Sequence, residues 1–109
     1  MIKVSKETKV FVHCPAGVVT GGAELLHQLV HTLRKDNINA YIVYHGNKQH
    51  ILPTEYECYN VVISEAVEDS NLNIEVIFEG IFNFSRKHKN TQKVLWWLSV
   101  DHFYLFSAS

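Results

Sequence analysis

Apolar residues fall into short blocks separated by polar, glycine- or proline-bearing stretches, and the blocks change period along the chain. The first is Val10, Phe11 and Val12, which predicts a strand over 9–13, broken by Pro15, Ala16 and Gly17. A small-residue loop follows from Gly17 to Gly22. Over 23–35 the apolar positions are Leu25, Leu26, Leu29, Val30 and Leu33. At about 100° per residue they span an arc of about 140°, the stripe of an amphipathic helix laid on a sheet. On the same wheel His27 and His31 fall near Arg34, opposite the leucines, and are expected on the solvent face. Glu24 in the first turn and Arg34 and Lys35 in the last suit the helix dipole.

Asn37 and Asn39 punctuate the helix exit, and the β-branched and aromatic run 40–44 predicts a second strand, ended by His45, Gly46 and Asn47. The stretch 48–59 is irregular and holds Pro53. A short extra strand is expected over 59–63, a short helix capped by Ser64 through Asp69, a strand over 74–78 and a short helix over 80–88. The last strand is expected over 93–100. Its unbroken centre, Val94, Leu95, Trp96, Trp97 and Leu98, implies cover on both faces and a central place in the sheet. This alternation predicts an α/β fold: a three-layer Rossmann-like domain with a mostly parallel sheet of four or five strands. Ligands of such sheets bind beyond the carboxyl ends of the strands. The loops at 15–22, 45–48, 79–80 and 99–103 should then share one edge.

The chain has 109 residues, 47% of them hydrophobic and 19% charged, which suits a single domain over 1–109 with its own core. A net charge of −1 argues against a nucleic-acid partner held through a dense basic face. The charged and apolar residues of 1–9 do not form a secretory leader, and no apolar run approaches the ~20 residues that span a bilayer. The expectation is a cytoplasmic protein with at most peripheral membrane contact, for which Arg86, Lys87, His88, Lys89 and Lys93 form a small basic cluster. Cys14 and Cys58 are too few for a disulfide scaffold and read as two buried reduced thiols, with a single bridge the alternative.

The glycine loop carries the most chemistry. Glycines let a backbone approach a ligand, and a helix start offers N–H groups without partners. Its glycines are Gly17, Gly21 and Gly22, not the G-x-G-x-x-G of a dinucleotide site, and the second strand ends in Tyr44, His45 and Gly46 without an acid. Gly22 is followed by Ala23 and Glu24, where a P-loop needs Lys and Ser or Thr. No nucleotide cofactor is therefore expected, and the bland reading is a tight strand-to-helix turn. His27 and His31 have the i, i+4 spacing of a zinc pair, and Glu24 shares their predicted face. Gln28 cannot act as the general base of a zincin and no third ligand is fixed, so surface histidines without a metal are the expectation. His13, His45 and His102 each sit at or past a predicted strand end, where three imidazoles would line a cleft or, equally, serve only as polar strand-end residues. Trp96 and Trp97 point to opposite faces of their strand and read as core.

The run Val10-Phe-Val-His, the Pro–Gly loop and Thr20-Gly-Gly-Ala-Glu-Leu-Leu-His-Gln-Leu-Val resemble the start of a GT-B glycosyltransferase. Lys93-Val-Leu-Trp-Trp-Leu-Ser-Val-Asp-His-Phe103 resembles bacterial surface-polysaccharide members of that group, and the two segments bracket most of the chain. The resemblance implies two Rossmann-like domains facing a cleft, the N-terminal one receiving the acceptor. Carried over, Thr20, Gly21 and Gly22 would approach the diphosphate of a nucleotide sugar, and Asp101 and His102 would lie on the cleft edge. The implied function is sugar transfer from a nucleotide sugar to a glycan or lipid-linked acceptor in polysaccharide or lipopolysaccharide synthesis. GT-B enzymes run to several hundred residues, so the chain is expected to be a truncated N-terminal domain, inactive alone. Exposed apolar surface near Trp96–Phe106 would then favour a partner chain or a homodimer. The alternative is a non-catalytic Rossmann-like module that binds a small anionic ligand or a protein at the same edge.

Overall fold

The computed structural model of the chain describes residues 7–17, 19–46, 48–78 and 89–96. Among these residues four parallel strands form one sheet: β1 (Lys9–Pro15), β2 (Asn39–His45), β3 (Ile74–Phe78) and β4 (Gln92–Trp96), in the spatial order β2-β1-β3-β4. Helix α1 (Gly21–Lys35) joins β1 to β2, and a 3-10 helix, Thr54–Tyr59, lies between β2 and β3. The architecture is α/β with Rossmann-like strand order. β2 lies to one side of β1 and β3 to the other, so the switch point falls between β1 and β3.

Side chains alternate across the sheet. Val10, Val12 and Cys14 of β1, Ala40, Ile42 and Tyr44 of β2, and Ile74 and Val76 of β3 form one core with Ala23, Leu26 and Val30 of α1 and with Tyr56. The opposite face carries Phe11, His13, Val43, Glu75 and Ile77, all buried as well. A sheet buried on both faces is what a three-layer α/β arrangement requires.

Several expected boundaries move. β1 runs on to Pro15 because the next residue, Ala16, donates its N–H to the His45 carbonyl at 2.7 Å and ties the two strand ends together. α1 starts at Gly21, two residues early, because Thr20 caps it. The helix ends on Asn37 in the left-handed region (φ 64), with Asn37 N–H on the Arg34 carbonyl and Ile38 N–H on that of Leu33. That is a Schellman stop, with Leu33 and Ile38 as its partly buried apolar pair. The extra strand expected over 59–63 reduces to one bridge, Ile42 to Ile63, while Thr54–Tyr59 coils as a 3-10 helix. The helix expected from Ser64 to Asp69 does not form; six residues are too few to nucleate alone, and the Ser64 hydroxyl closes a turn onto the Ala66 carbonyl.

β4 was expected at the centre of the sheet and lies at its edge among the described strands. A continuous apolar run reports cover on both faces, which an outer strand can also have. Residues 97–100 of that strand, the helix over 80–88 and the apolar stretch beyond Trp96 lie outside the described residues. No helix among the described residues is long and apolar enough to cross a membrane.

The buried face of α1 also differs. It is Gly22, Ala23, Leu26, His27 and Val30, with Leu29 and Leu33 partly buried and Leu25 41% exposed. Compared with the leucine stripe, this face is turned about 60° towards His27 on the helical wheel. The 3-10 helix causes the turn, since it lays Tyr56 and Tyr59 along the His27–His31 side of α1. The expectation that His27 faces solvent is overturned: it is completely buried.

Candidate functional site

Among the described residues the carboxyl edge of the sheet is built by the loops that follow β1 and β2, while the loops expected there over 79–80 and 99–103 lie outside them. Two glycines there answer to geometry. Gly17 has φ +66, and a Cβ on it would meet the Lys48 Cδ at 2.7 Å; Gly46 has φ +117. Both conformations exclude ordinary L-residues. Gly21 is different. Its φ is not positive, and apart from its chain neighbours and the adjoining helix backbone no atom of a described residue lies within 4 Å of where its Cβ would be. Nothing in the backbone or the packing asks for glycine at this first helical position. Among the described residues a side chain at Gly21 therefore meets no packing, at the N-terminus of α1, where N–H groups without intrahelical acceptors and the dipole favour negative charge. Gly22, beside it, is buried.

Thr20 holds this helix start in place. Its Oγ1 accepts the Ala23 N–H at 3.1 Å, and its carbonyl accepts the Glu24 N–H at 2.9 Å. The Tyr56 hydroxyl grips Thr20 from the other side, accepting its N–H at 3.0 Å and donating to its carbonyl at 2.9 Å. Tyr59 adds a second tie, donating its hydroxyl to Glu24 at 2.7 Å and accepting from the Gln28 amide at 3.0 Å. The Gln28 bond lowers the Tyr59 pKa, and the Glu24 bond raises it with net effect upward. His31 donates Nδ1–H to the Tyr59 carbonyl at 2.9 Å.

Behind this clamp lies His27. Its Nδ1 donates to the Ala23 carbonyl at 2.7 Å, since a carbonyl can only accept. Burial pushes its pKa below the usual value, with the Ala23 bond opposing. In the neutral ring Nε2 is the acceptor, and it takes the Tyr44 hydroxyl proton at 2.8 Å. Burial raises the pKa of Tyr44 as well, which keeps that hydroxyl a donor.

On the opposite face of the sheet a line of polar side chains crosses all four strands. His13 Nδ1 lies 2.5 Å from His45 Nε2, and His13 Nε2 lies 2.7 Å from Glu75 Oε1. The other Glu75 oxygen accepts from the Thr91 hydroxyl and pairs with the Lys93 ammonium at 3.3 Å. Lys93 also donates to the Thr91 hydroxyl at 2.5 Å and its carbonyl at 2.8 Å. His13 and Glu75 are buried to within 1% of complete, and the Glu75 carboxylate can accept only. His13 Nε2 therefore carries a proton, and one further proton is shared between His13 Nδ1 and His45 Nε2. The chain runs from half-buried His45 at the carboxyl edge to the ammonium of Lys93, whose side chain is 30% exposed. A carboxylate orienting one imidazole against a second is an arrangement for moving a proton.

Thr20, Gly21 and Gly22, singled out in the sequence, lie together at this edge, whereas Asp101 and His102 lie outside the described residues. Of the three strand-end imidazoles, His13 and His45 meet and His102 is outside the described residues. Glu75, Thr91 and Lys93 were missed. The signal for Glu75 was available: an acid flanked by Ile74, Val76, Ile77 and Phe78 in a buried strand needs partners. The possible metal trio of Glu24, His27 and His31 is not assembled, because both histidines turn to protein acceptors and Glu24 to Tyr59. No group of three metal-ligating side chains occurs among the described residues. Cys14 is buried, its thiol pushed up to about 12 by desolvation, and Cys58 is exposed where a buried thiol was expected; the two are unbridged. Trp97 lies outside the described residues. No family model, no curated protein and no solved structure matches this chain.

Proposed function

We propose that the chain is a glycosyltransferase-like domain, the acceptor-side half of a GT-B-type site that transfers a sugar from a nucleotide sugar in bacterial polysaccharide or lipopolysaccharide assembly. The observation that carries this reading is Gly21, a glycine that neither φ nor packing among the described residues requires, at a helix start clamped at the carboxyl edge. The resemblance of 10–30 and 93–103 to that group supplies the substrate class. In this reading the diphosphate approaches Thr20, Gly21 and Gly22, and Asp101 and His102 belong to the same cleft. A glycan or lipid-linked acceptor enters beside His45, which takes the acceptor's hydroxyl proton while His13 and Glu75 hold the ring and balance its charge. Transfer needs a second, donor-binding half, from further chain, a partner or a second copy, and that half excludes water from the cleft.

The test is titration of the isotope-labelled chain with UDP-glucose, followed by NMR. Saturable shifts at Thr20, Gly21 and Gly22, weakened at least tenfold by Gly21→Ala with the fold intact, support the reading. Shifts unaffected by that substitution refute it. The second reading, a non-catalytic module for small anions, draws on the same helix start. Inorganic phosphate binding as tightly as UDP-glucose would favour it.

A further inference from the structure

The clamp on the glycine loop is built around a buried base. His27 stacks on the Tyr56 ring with centroids 4.3 Å apart, and Tyr56 is the residue that grips Thr20. We propose that His27 and Tyr56 form an acid-operated latch: when His27 takes up a proton, the 3-10 helix Thr54–Tyr59 lifts away and Thr20 is released.

The proton adds to Nε2, the one ring nitrogen with a lone pair to give. N–H and O–H then oppose each other along the 2.8 Å line to Tyr44, and Tyr44 must turn its hydroxyl away. The groups facing His27 offer the new charge little. From α1 come the Ala23 carbonyl, Glu24 one turn before, whose carboxylate is taken by the Tyr59 hydroxyl, and His31 one turn after, itself a cation when protonated. From β2 comes Tyr44, and from β1 comes Cys14, beside Tyr44 and Tyr56, its thiol neutral. The 3-10 helix brings Tyr56 and Tyr59, while its Glu55 and Glu57 are exposed. No carboxylate among the described residues reaches the ring. A buried imidazolium without a counter-ion is relieved by admitting water.

The element that gives way is the weakest one. The 3-10 helix is six residues long, has no side-chain N-cap bond and exposes Thr54, Glu55, Glu57 and Cys58. Lifting it removes Tyr56 from His27 and uncovers the ring, while the sheet and α1 keep their own ladders. The sign follows from linkage. The open form binds the proton near pH 6.5 and the closed form only at lower pH, so closure is undisturbed above about 6.5 and is lost as pH falls through the window below it. One proton is taken up, so the opening constant rises about tenfold per pH unit inside that window.

Amide hydrogen exchange of the whole chain between pH 7.5 and 5, corrected for intrinsic rates, tests the latch. Protection of the Thr20 N–H should fall about tenfold per unit below pH 6.5, while the amides of Val12 and Ile42 stay protected. Tyr56→Phe should leave Thr20 unprotected at every pH, and His27→Gln should remove the pH dependence. Should His27→Gln not fold, the His27 Cε1–H resonance of the unmodified chain must titrate at the midpoint of Thr20 release. Constant Thr20 protection down to pH 5, or its loss together with Val12 and Ile42, overturns the proposal. The link to ligand rests on the function proposed above. If UDP-glucose binds at no pH, that reading falls and the latch stands; if it binds while Thr20 protection never changes, the latch falls.

Discussion

Replacing Glu75 by Gln exchanges one oxygen for an NH2 group in the middle of the sheet and should be among the costliest single substitutions in the chain. One carboxylate oxygen accepts from His13 at 2.7 Å; the other serves Thr91 and sits 3.3 Å from the Lys93 ammonium. Glutamine keeps one acceptor and turns the other into an NH2 group. If that group faces His13, two N–H donors oppose each other. If it faces Thr91, the hydroxyl can turn and accept, but Lys93 loses its counter-charge. Breaking a buried pair by removing one partner costs about 3–5 kcal/mol. The Lys93 side chain, 30% exposed, regains some water, which places the expected loss near the lower end, about 3 kcal/mol. For a domain of this size that is roughly 12–24 °C in Tm. The assay is urea denaturation followed by circular dichroism, with equal slopes required for the comparison. Glu68→Gln is the control, since its pair with Lys9 is open to solvent, with side chains 57% and 39% exposed, and its midpoint should not move measurably. A loss under about 1 kcal/mol for Glu75→Gln, or one no larger than the control's, would refute the buried relay.

The two loop glycines should respond with opposite signs: Gly17→Ala destabilises by about 1–2 kcal/mol through its positive φ, whereas Gly21→Ala is neutral or gains up to about 1 kcal/mol, both read from thermal melts. Thr20→Ala should cost about 1 kcal/mol through the lost cap, and Thr20→Ser should recover most of it in the same melts. A chromogenic disulfide reagent at pH 8 should modify one thiol per folded chain, Cys58. Cys14 is buried, ionises only near pH 12 and should react only after unfolding, so two fast equivalents would contradict its burial.

The sheet was legible because local rules and tertiary demand agree along it. Val10-Phe-Val, 40–44 and 74–78 are apolar, β-branched runs bounded by turn residues, and each is a strand of the structure. The carboxyl edge followed from strand order. Failures came where a long-range partner outbid a local pattern. The leucine stripe of α1 placed Leu25 inside and His27 outside; the 3-10 helix reversed both, because its tyrosine hydroxyls and rings reward His27, Gln28 and His31. Nothing in 48–59 announced that helix, since its hold on the body is through side chains alone. The polar relay was half legible. His13 and His45 stood out by position, but Glu75, Thr91 and Lys93 join them only through the register of β3 between β1 and β4. A single acid in an apolar strand says that a partner exists without saying which.

The relay also bears on what the molecule is for. A small domain has a narrow stability margin, about 5–15 kcal/mol, and the middle of its sheet is where apolar contacts return most. Replacing a buried ionic cluster by well-packed apolar residues is often neutral or stabilising by about 1–4 kcal/mol. Phe11, Val43 and Ile77 on the same face show that the site accepts such residues. Stability alone therefore gives no reason to set His13, His45, Glu75 and Lys93 among them. Register gives little reason either, because parallel pairing of β1 with β2 already runs over seven residues. The asymmetry of the line is more telling. Its carboxylate lies deep in the sheet, its imidazoles step towards the carboxyl edge, and its last ring is that of His45, the final residue of β2. A structural ion pair has no need of a second imidazole between the carboxylate and the edge. The proton exchange proposed above at His45 does.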